Sequence, residues 1–218
     1  MISGEAKTAW AASWPSDGNR QMYLSKLNYY SDFVVYPLCI LAFAILGLLH
    51  AGGRGAELWT LLFSGTIVVW TLLEYLLHRF LFHHFPYIKD MHERHHDAER
   101  ELLGTPVWLS LLAHLLIVFV PALLLFDLRV ATAISAGIMT GYLWYVVTHH
   151  VIHHWHVSHR GYLYRLKRRH ALHHHGSEGF NFGVTTGIWD RIFRTAAPEN
   201  RPDSQILASE QPLNFWRP

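Results

Sequence analysis

Eighteen of the 218 residues are histidine, as many as Lys and Arg together and more than Asp and Glu. Most of them gather in four clusters. These read HRFLFH from His78 to His83, HERHH from His92 to His96, HHVIHH from His149 to His154, and HALHH from His170 to His174. Neutral imidazole is the commonest metal ligand among side chains, and helical spacing says which rings can act together. Positions i, i+3 and i+4 share a face, so His92 with His95 and His96, and His170 with His173 and His174, each aim three imidazoles one way. His149 and His153 also share a face. His78 and His83, five apart, lie roughly 140° around an α-helix and are expected to reach two different ions. These ten imidazoles exceed what one metal can hold, and two metals with about five ligands each is the natural division. His50, His84, His114, His156, His159 and His175 fit none of these spacings and receive no role.

Imidazole ligation admits zinc, copper, nickel and iron, and affinity alone favours copper and zinc. Structural zinc closes with four ligands. A ten-ligand arrangement beside a lipid phase suits a metal that changes oxidation state, because attack on an unactivated C–H bond needs an oxidant that no side chain provides. Ligating histidines hand their second N–H to carboxylates or carbonyls. Glu74, one turn before His78, is placed to orient that ring; His154, beside the third cluster, and Asp190, after a Gly-rich turn, are further outer partners. Glu93 and Asp97 read as outer or surface groups rather than ligands.

The elements that must position these clusters are membrane helices. Hydrophobic residues make up 51% of the chain, charged residues 16%, and mean hydropathy is +0.13, a balance foreign to ordinary soluble domains. Crossing roughly 30 Å of hydrocarbon takes about 20 mostly apolar residues, and four runs qualify, over about 33–50, 58–78, 102–126 and 130–148. The fold expected is all-α: four transmembrane helices carrying a cytoplasmic helical cap that holds a histidine-rich di-metal site. An N-terminal segment, 1–32, and a tail, 199–218, flank a membrane domain over 33–198. The second run continues helically to Pro86, lifting His78 and His83 above the membrane surface. Trp59, Trp108, Tyr142, Trp144 and Tyr145 lie towards span ends, where interfacial aromatics belong. Sixteen Lys and Arg, Lys7, Arg20, Arg201 and Arg217 among them, fall on the side that carries the clusters, against Arg54 and Arg129 on the other. The positive-inside rule therefore puts both termini and every cluster in the cytoplasm. No secretory signal is recognisable. A net charge of +2 without a basic aromatic stripe excludes nucleic acid as partner. Cys39, the lone cysteine, excludes a disulfide framework and a thiolate metal site.

The four clusters, in this order around hydrophobic hairpins, resemble the fatty acid hydroxylase (sterol desaturase-like) superfamily, and among its members the fatty acid 2-hydroxylases. The stretches that carry the likeness are EYLLHRFLFH (Glu74–His83), HERHH (His92–His96), GYLWYVVTHHVIHH (Gly141–His154), HALHH (His170–His174) and NFGVTTGIWDRIFRT (Asn181–Thr195). The resemblance implies two iron ions and dioxygen as co-substrate, with zinc able to replace iron in purified protein. It implies His78, His83, His92, His95, His96, His149, His153, His170, His173 and His174 as ligands, and a lipid whose chain threads up from the bilayer. The 2-hydroxylases tend to carry Asp just before the third cluster, where this chain has Val146. Many relatives carry a fused cytochrome b5 domain for which this chain has no room, so electrons are expected from a separate cytochrome b5-like or ferredoxin-like protein. A bacterial inner membrane is expected over endoplasmic reticulum. Sterol, hopanoid or carotenoid oxidation belongs to the same superfamily. A metal transporter or sensor is the reading from another class, and it would want ligands at mid-membrane, where only His114 stands.

Overall fold

The computed structural model describes residues 23–198 apart from 51, 159, 177 and 178; the N-terminal Lys7 and Arg20, His159, and the tail from residue 199 lie outside them. The described residues form helices and no strand. In chain order these are α1 (Lys26–Tyr30), α2 (Asp32–Leu49), α3 (Gly55–Leu76) running into a π-helical segment (Leu77–Phe82), α4 (Pro86–Asp97), α5 (Val107–His114) with a second π segment (Leu115–Phe119), α6 (Val120–Leu125), α7 (Leu128–His154), α8 (Tyr162–His175) and α9 (Ile188–Ile192). Four continuous helical stretches are long and apolar enough to cross a membrane: Lys26–Leu49, Gly55–Phe82, Val107–Leu125 and Leu128–His154.

Local chemistry sets the boundaries. The third stretch starts at Val107 rather than near Leu102, because Pro106 precedes it and Leu102 is occupied otherwise: its carbonyl accepts Leu24 N–H at 2.8 Å. The fourth begins where the Asp127 carboxylate caps Val130 N–H at 2.8 Å, and it continues to His154. Pro86 opens α4 at its first turn.

The bundle centres on α7, which packs against both α2 and α3. Its inward face is made of small residues, Ala131, Ala133, Ser135, Ala136, Gly137 and Gly141, all buried. Small faces let helix backbones approach closely where lipid supplies no hydrophobic drive. A Cβ on Gly137 would stand 2.5 Å from the Phe63 carbonyl, and one on Gly141 2.3 Å from the Trp70 ring. Trp59 departs from its expected place in an interfacial belt. It is 5% exposed, stacks on Phe63, and donates its indole N–H to Thr132 Oγ1 at 3.2 Å. The outer faces carry exposed Leu38, Leu41, Ile45, Leu61, Val68, Leu116, Ile117 and Leu124. Such a contiguous apolar exterior belongs against hydrocarbon, not water.

Candidate metal centre

Four elements carry the histidines to one end of the bundle: the last turns of the second and fourth stretches, and the two amphipathic helices α4 and α8. There they form two groups of five. His78, His83, His92, His96 and His173 make the first; His95, His149, His153, His170 and His174 make the second; within each, the ring nitrogens lie within 4.8 Å of one another. All ten residues singled out by spacing are therefore brought together.

Their division differs from the expectation in two ways. His78 and His83 fall in the same group, not in two. The reason is the π segment: it replaces i→i+4 by i→i+5 hydrogen bonding, so residues five apart come nearly above one another. Nor does either triad converge on one centre. On α4, His92 and His96 turn to the first group and His95 to the second; on α8, His170 and His174 turn to the second and His173 to the first. The i, i+4 pair stays together, and the i+3 ring serves the neighbour. The groups abut where His96 stacks on His174, 4.1 Å between centroids and 5° between planes.

The nitrogen geometry fits metal ions. His92 Nε2 lies 3.0 Å from His78 Nε2, 3.2 Å from His83 Nε2 and 3.0 Å from His96 Nε2. His153 Nε2 repeats the pattern, 3.2 Å from His95, 3.2 Å from His149 and 2.9 Å from His170. A neutral imidazole nitrogen is either one donor or one acceptor, so it cannot satisfy three imidazoles at once. Ligands held about 2.1 Å from an ion stand about 3 Å apart when they meet at right angles. A shared cation inside each group answers both facts. Burial, then the neighbouring rings, pull His92, His170 and His174 well below the ordinary imidazole range. Burial likewise brings His95 and His96 to about 4 and His173 to about 3. At neutral pH these rings are uncharged and keep the lone pair that a metal needs.

The outer partners are mostly not those read from sequence. His78 Nδ1 meets the Phe182 carbonyl at 2.5 Å and His173 Nδ1 the Phe180 carbonyl at 2.9 Å. Glu74 does not orient His78 directly. Its buried carboxylate accepts Val184 N–H, Thr185 N–H and Thr185 Oγ1–H at 2.7, 2.8 and 2.5 Å, which fixes the 181–187 loop on α3. Asp190 fixes the same loop from the other side. It accepts Phe182 N–H at 2.8 Å, Gly183 N–H at 3.0 Å, Thr195 Oγ1–H at 2.9 Å and Arg169 at 2.8 Å. Gly183 is required there, since a Cβ would stand 2.0 Å from the Thr186 carbonyl. Both acids thus act on the rings through the loop's carbonyls. His154 belongs to neither group and stacks on His150, which meets the Tyr29 hydroxyl at 3.0 Å. Glu99, unassigned in the sequence reading, sits 3.6 Å from His153 Nδ1, 3.7 Å from His174 Nδ1 and 3.6 Å from His175 Nε2. No local spacing advertises it, because its partners lie on other helices.

A cavity of ≈ 140 Å³ borders both groups. His92, from the first, and His95 and His149, from the second, form one wall; Leu24, Tyr29, Asp32, Phe82, Met91, Leu103, Tyr142, Tyr145 and Val146 form much of the rest. A small molecule lodged there would lie against residues of both histidine groups.

Residues 63–195 match the fatty acid hydroxylase family. The fatty acid 2-hydroxylase of Macaca fascicularis is 36% identical over 91% of this chain and 55% of its own length. The ceramide very long chain fatty acid hydroxylase scs7 of Schizosaccharomyces pombe is 29% identical over 86% of this chain and 56% of its own. The chain thus spans about half the length of these relatives. The structure of full-length scs7p, of which only the hydroxylase domain is visible, superposes with a TM-score of 0.71 at 26% identity, covering 83% of this chain and 70% of that one. With four helices able to span a membrane, two five-histidine groups at one end of them, and the family's residues over 63–195, this chain belongs to the fatty acid hydroxylase family.

Proposed function

We propose that this protein hydroxylates the fatty acyl chain of a membrane lipid, with one iron in each histidine group, dioxygen as co-substrate and electrons from a separate carrier protein. The observation that carries this reading is the cavity bordered at once by His92, His95 and His149, where a C–H bond could face both centres. Irons held there would supply the oxygen activation that side chains lack. The balance is one O2, one substrate C–H and two electrons with two protons, giving C–OH and water. The chain's own residues hold the rings neutral, fix the His173 and His78 tautomers through the carbonyls of Phe180 and Phe182, and line a mostly apolar cavity. Zinc competes for these imidazoles in overexpressed protein, since it stands above iron in the affinity order. A cytochrome b5-like or ferredoxin-like donor fits the need for single electrons. The test is mass spectrometry of lipid extracts from cells with and without the protein, grown under 18O2. A hydroxylated lipid carrying label in the new hydroxyl is the expected result. Metal uptake into vesicles with no new lipid would overturn the reading in favour of transport.

The orientation follows from the division of Lys and Arg and belongs to the same proposal. Reporter fusions at residue 90 and at the C-terminus should read cytoplasmic, and a fusion at residue 54 should read on the opposite side. An exterior reading at residue 90 would invert the topology and separate the site from its reductant.

A further inference from the structure

We propose that α9 and the start of α8 dock on an anionic phospholipid surface, and that this contact steadies the loop that orients the first histidine group. The docking rests on the membrane helices; its effect on bound metal rests on the two-ion reading above. The height of α9 is set by Trp189, whose indole N–H donates to Thr71 Oγ1 at 2.9 Å. Thr71 belongs to the second membrane stretch, Gly55–Phe82. It stands about 24 Å along the helix axis from Gly55, within the roughly 30 Å of hydrocarbon that such a stretch crosses. A five-residue helix held at that depth on the outside of the bundle meets lipid. α8 begins beside it: the Tyr162 hydroxyl donates to the Thr185 carbonyl, and Arg169 pairs with Asp190 at 2.8 Å.

The outward side chains match that position. Ile188 and Ile192, four apart, share one side of α9, and they are 56% and 59% exposed. Phe193, Tyr162 and Leu163 extend the exposed apolar surface. Arg191 and Arg194 stand on one of the two segments, Arg160 and Arg165 on the other, all four exposed. Among the described residues from 160 to 198 the one acid is Asp190, and it is buried. Apolar side chains accompanied by arginines, with no exposed acid, are the composition of an element lying among lipid headgroups, and each basic side chain there favours anionic lipid. An acidic protein would also attract the arginines. The depth of Trp189, however, puts Ile188 and Ile192 against lipid rather than a soluble partner.

The contact reaches the histidines through the same helix. Asp190, inside α9, accepts the Phe182 and Gly183 N–H groups, and the Phe182 carbonyl meets His78 Nδ1. The Phe180 carbonyl, close by in sequence, meets His173 Nδ1. Both rings belong to the first group. A bilayer that binds α9 where it stands favours this arrangement of the loop over others by its affinity for it.

The test uses the full chain in phosphatidylcholine vesicles with and without phosphatidylglycerol. In a Cys39→Ser background a fluorophore is attached at Ile188→Cys, at Ile192→Cys or, as an exposed control on α4, at Asp97→Cys, and the vesicles carry lipid spin-labelled in its acyl chain. Labels at 188 and 192 should be quenched several-fold more than the label at 97. Equal quenching at the three positions overturns the docking, as does a response of 188 and 192 to an added acidic redox protein but not to lipid. For the unlabelled protein, bound metal is followed in the presence of a chelator. Phosphatidylglycerol should slow the loss of one ion by about fivefold or more, the worth of a basic side chain at an anionic surface. Arg191→Gln combined with Arg194→Gln should remove that lipid dependence. Equal rates in the two vesicles for wild type overturn the coupling to the first group. A wild-type protein that holds no metal overturns the metal reading itself, an outcome separate from the quenching result.

Discussion

His83→Ala and His173→Ala should abolish lipid hydroxylation and lower bound metal, while His84→Ala keeps most of both. The contrast is set by neighbours in sequence that differ in partners. His83 Nε2 lies 3.2 Å from His92 Nε2 and 3.3 Å from His173 Nε2, inside the first group. His84 is exposed, and among the described residues its Nδ1 meets the Arg79 carbonyl, at 3.1 Å. On the proposed metal reading, truncating a ligand removes a metal bond, and metal binding of this kind is coupled to folding. Truncating an exposed bystander usually changes stability by less than about 0.5 kcal/mol. His175→Ala should fall between the two, because its Nε2 stands 3.6 Å from the Glu99 that also faces His153 and His174. Loss of an outer partner typically lowers metal affinity by about 10–100-fold. The measurements are product yield and metal per chain at matched protein levels, with about two ions expected for wild type, one per five-imidazole group. Equal damage from His83→Ala and His84→Ala, or a wild-type content of one ion or none, contradicts the assignment.

The second large effect belongs to a residue that touches no histidine of either group. Asp190→Ala removes a fully buried carboxylate that takes hydrogen bonds from two backbone N–H groups, Thr195 and Arg169. The Arg169 side chain, 19% exposed, is left without its counter-charge. Breaking a buried pair from one side costs about 3–5 kcal/mol, a large share of the total stability of an ordinary domain. Because Phe182 then loses its anchor, the carbonyl that holds His78 Nδ1 shifts too. Asp190→Ala should therefore lower the unfolding temperature in detergent and the metal content together. Asp190→Asn, which keeps one acceptor oxygen but loses the charge and the second acceptor, should lose less of both. A variant with wild-type unfolding and full metal would show that the loop stands without this acid.

Much of this was readable from the chain. Apolar runs announce membrane helices because the hydrocarbon tolerates little else, and ten ligand candidates stood out because helical spacing constrains which rings can meet. What spacing could not reveal was how those ten divide. His78 and His83 were measured on an α-helical wheel, and one π turn moved them to the same side. Spacing makes each triad a single face, yet the i+3 rings, His95 and His173, reach the neighbouring group. Glu74 was recognised as important but given the wrong target, since its partners, Val184 and Thr185, lie 110 and 111 positions away. Glu99 is invisible for the same reason: its contacts with His153, His174 and His175 arise only when distant segments come together. Trp59 was assigned to the interface by its position along a span, whereas its place is decided by the face it occupies, opposite Thr132.

The crossing of ligands between the groups has a thermodynamic consequence. Since α4 and α8 each contribute to both centres, neither centre is a separable module. An ion entering the first group restrains His92, His96 and His173, and through the same two helices it restrains His95, His170 and His174 before the second ion arrives. If metal binding orders these helices, much of that ordering accompanies the first ion, and the second is favoured by linkage. On the two-iron reading proposed above, a metal titration should therefore find few half-loaded molecules.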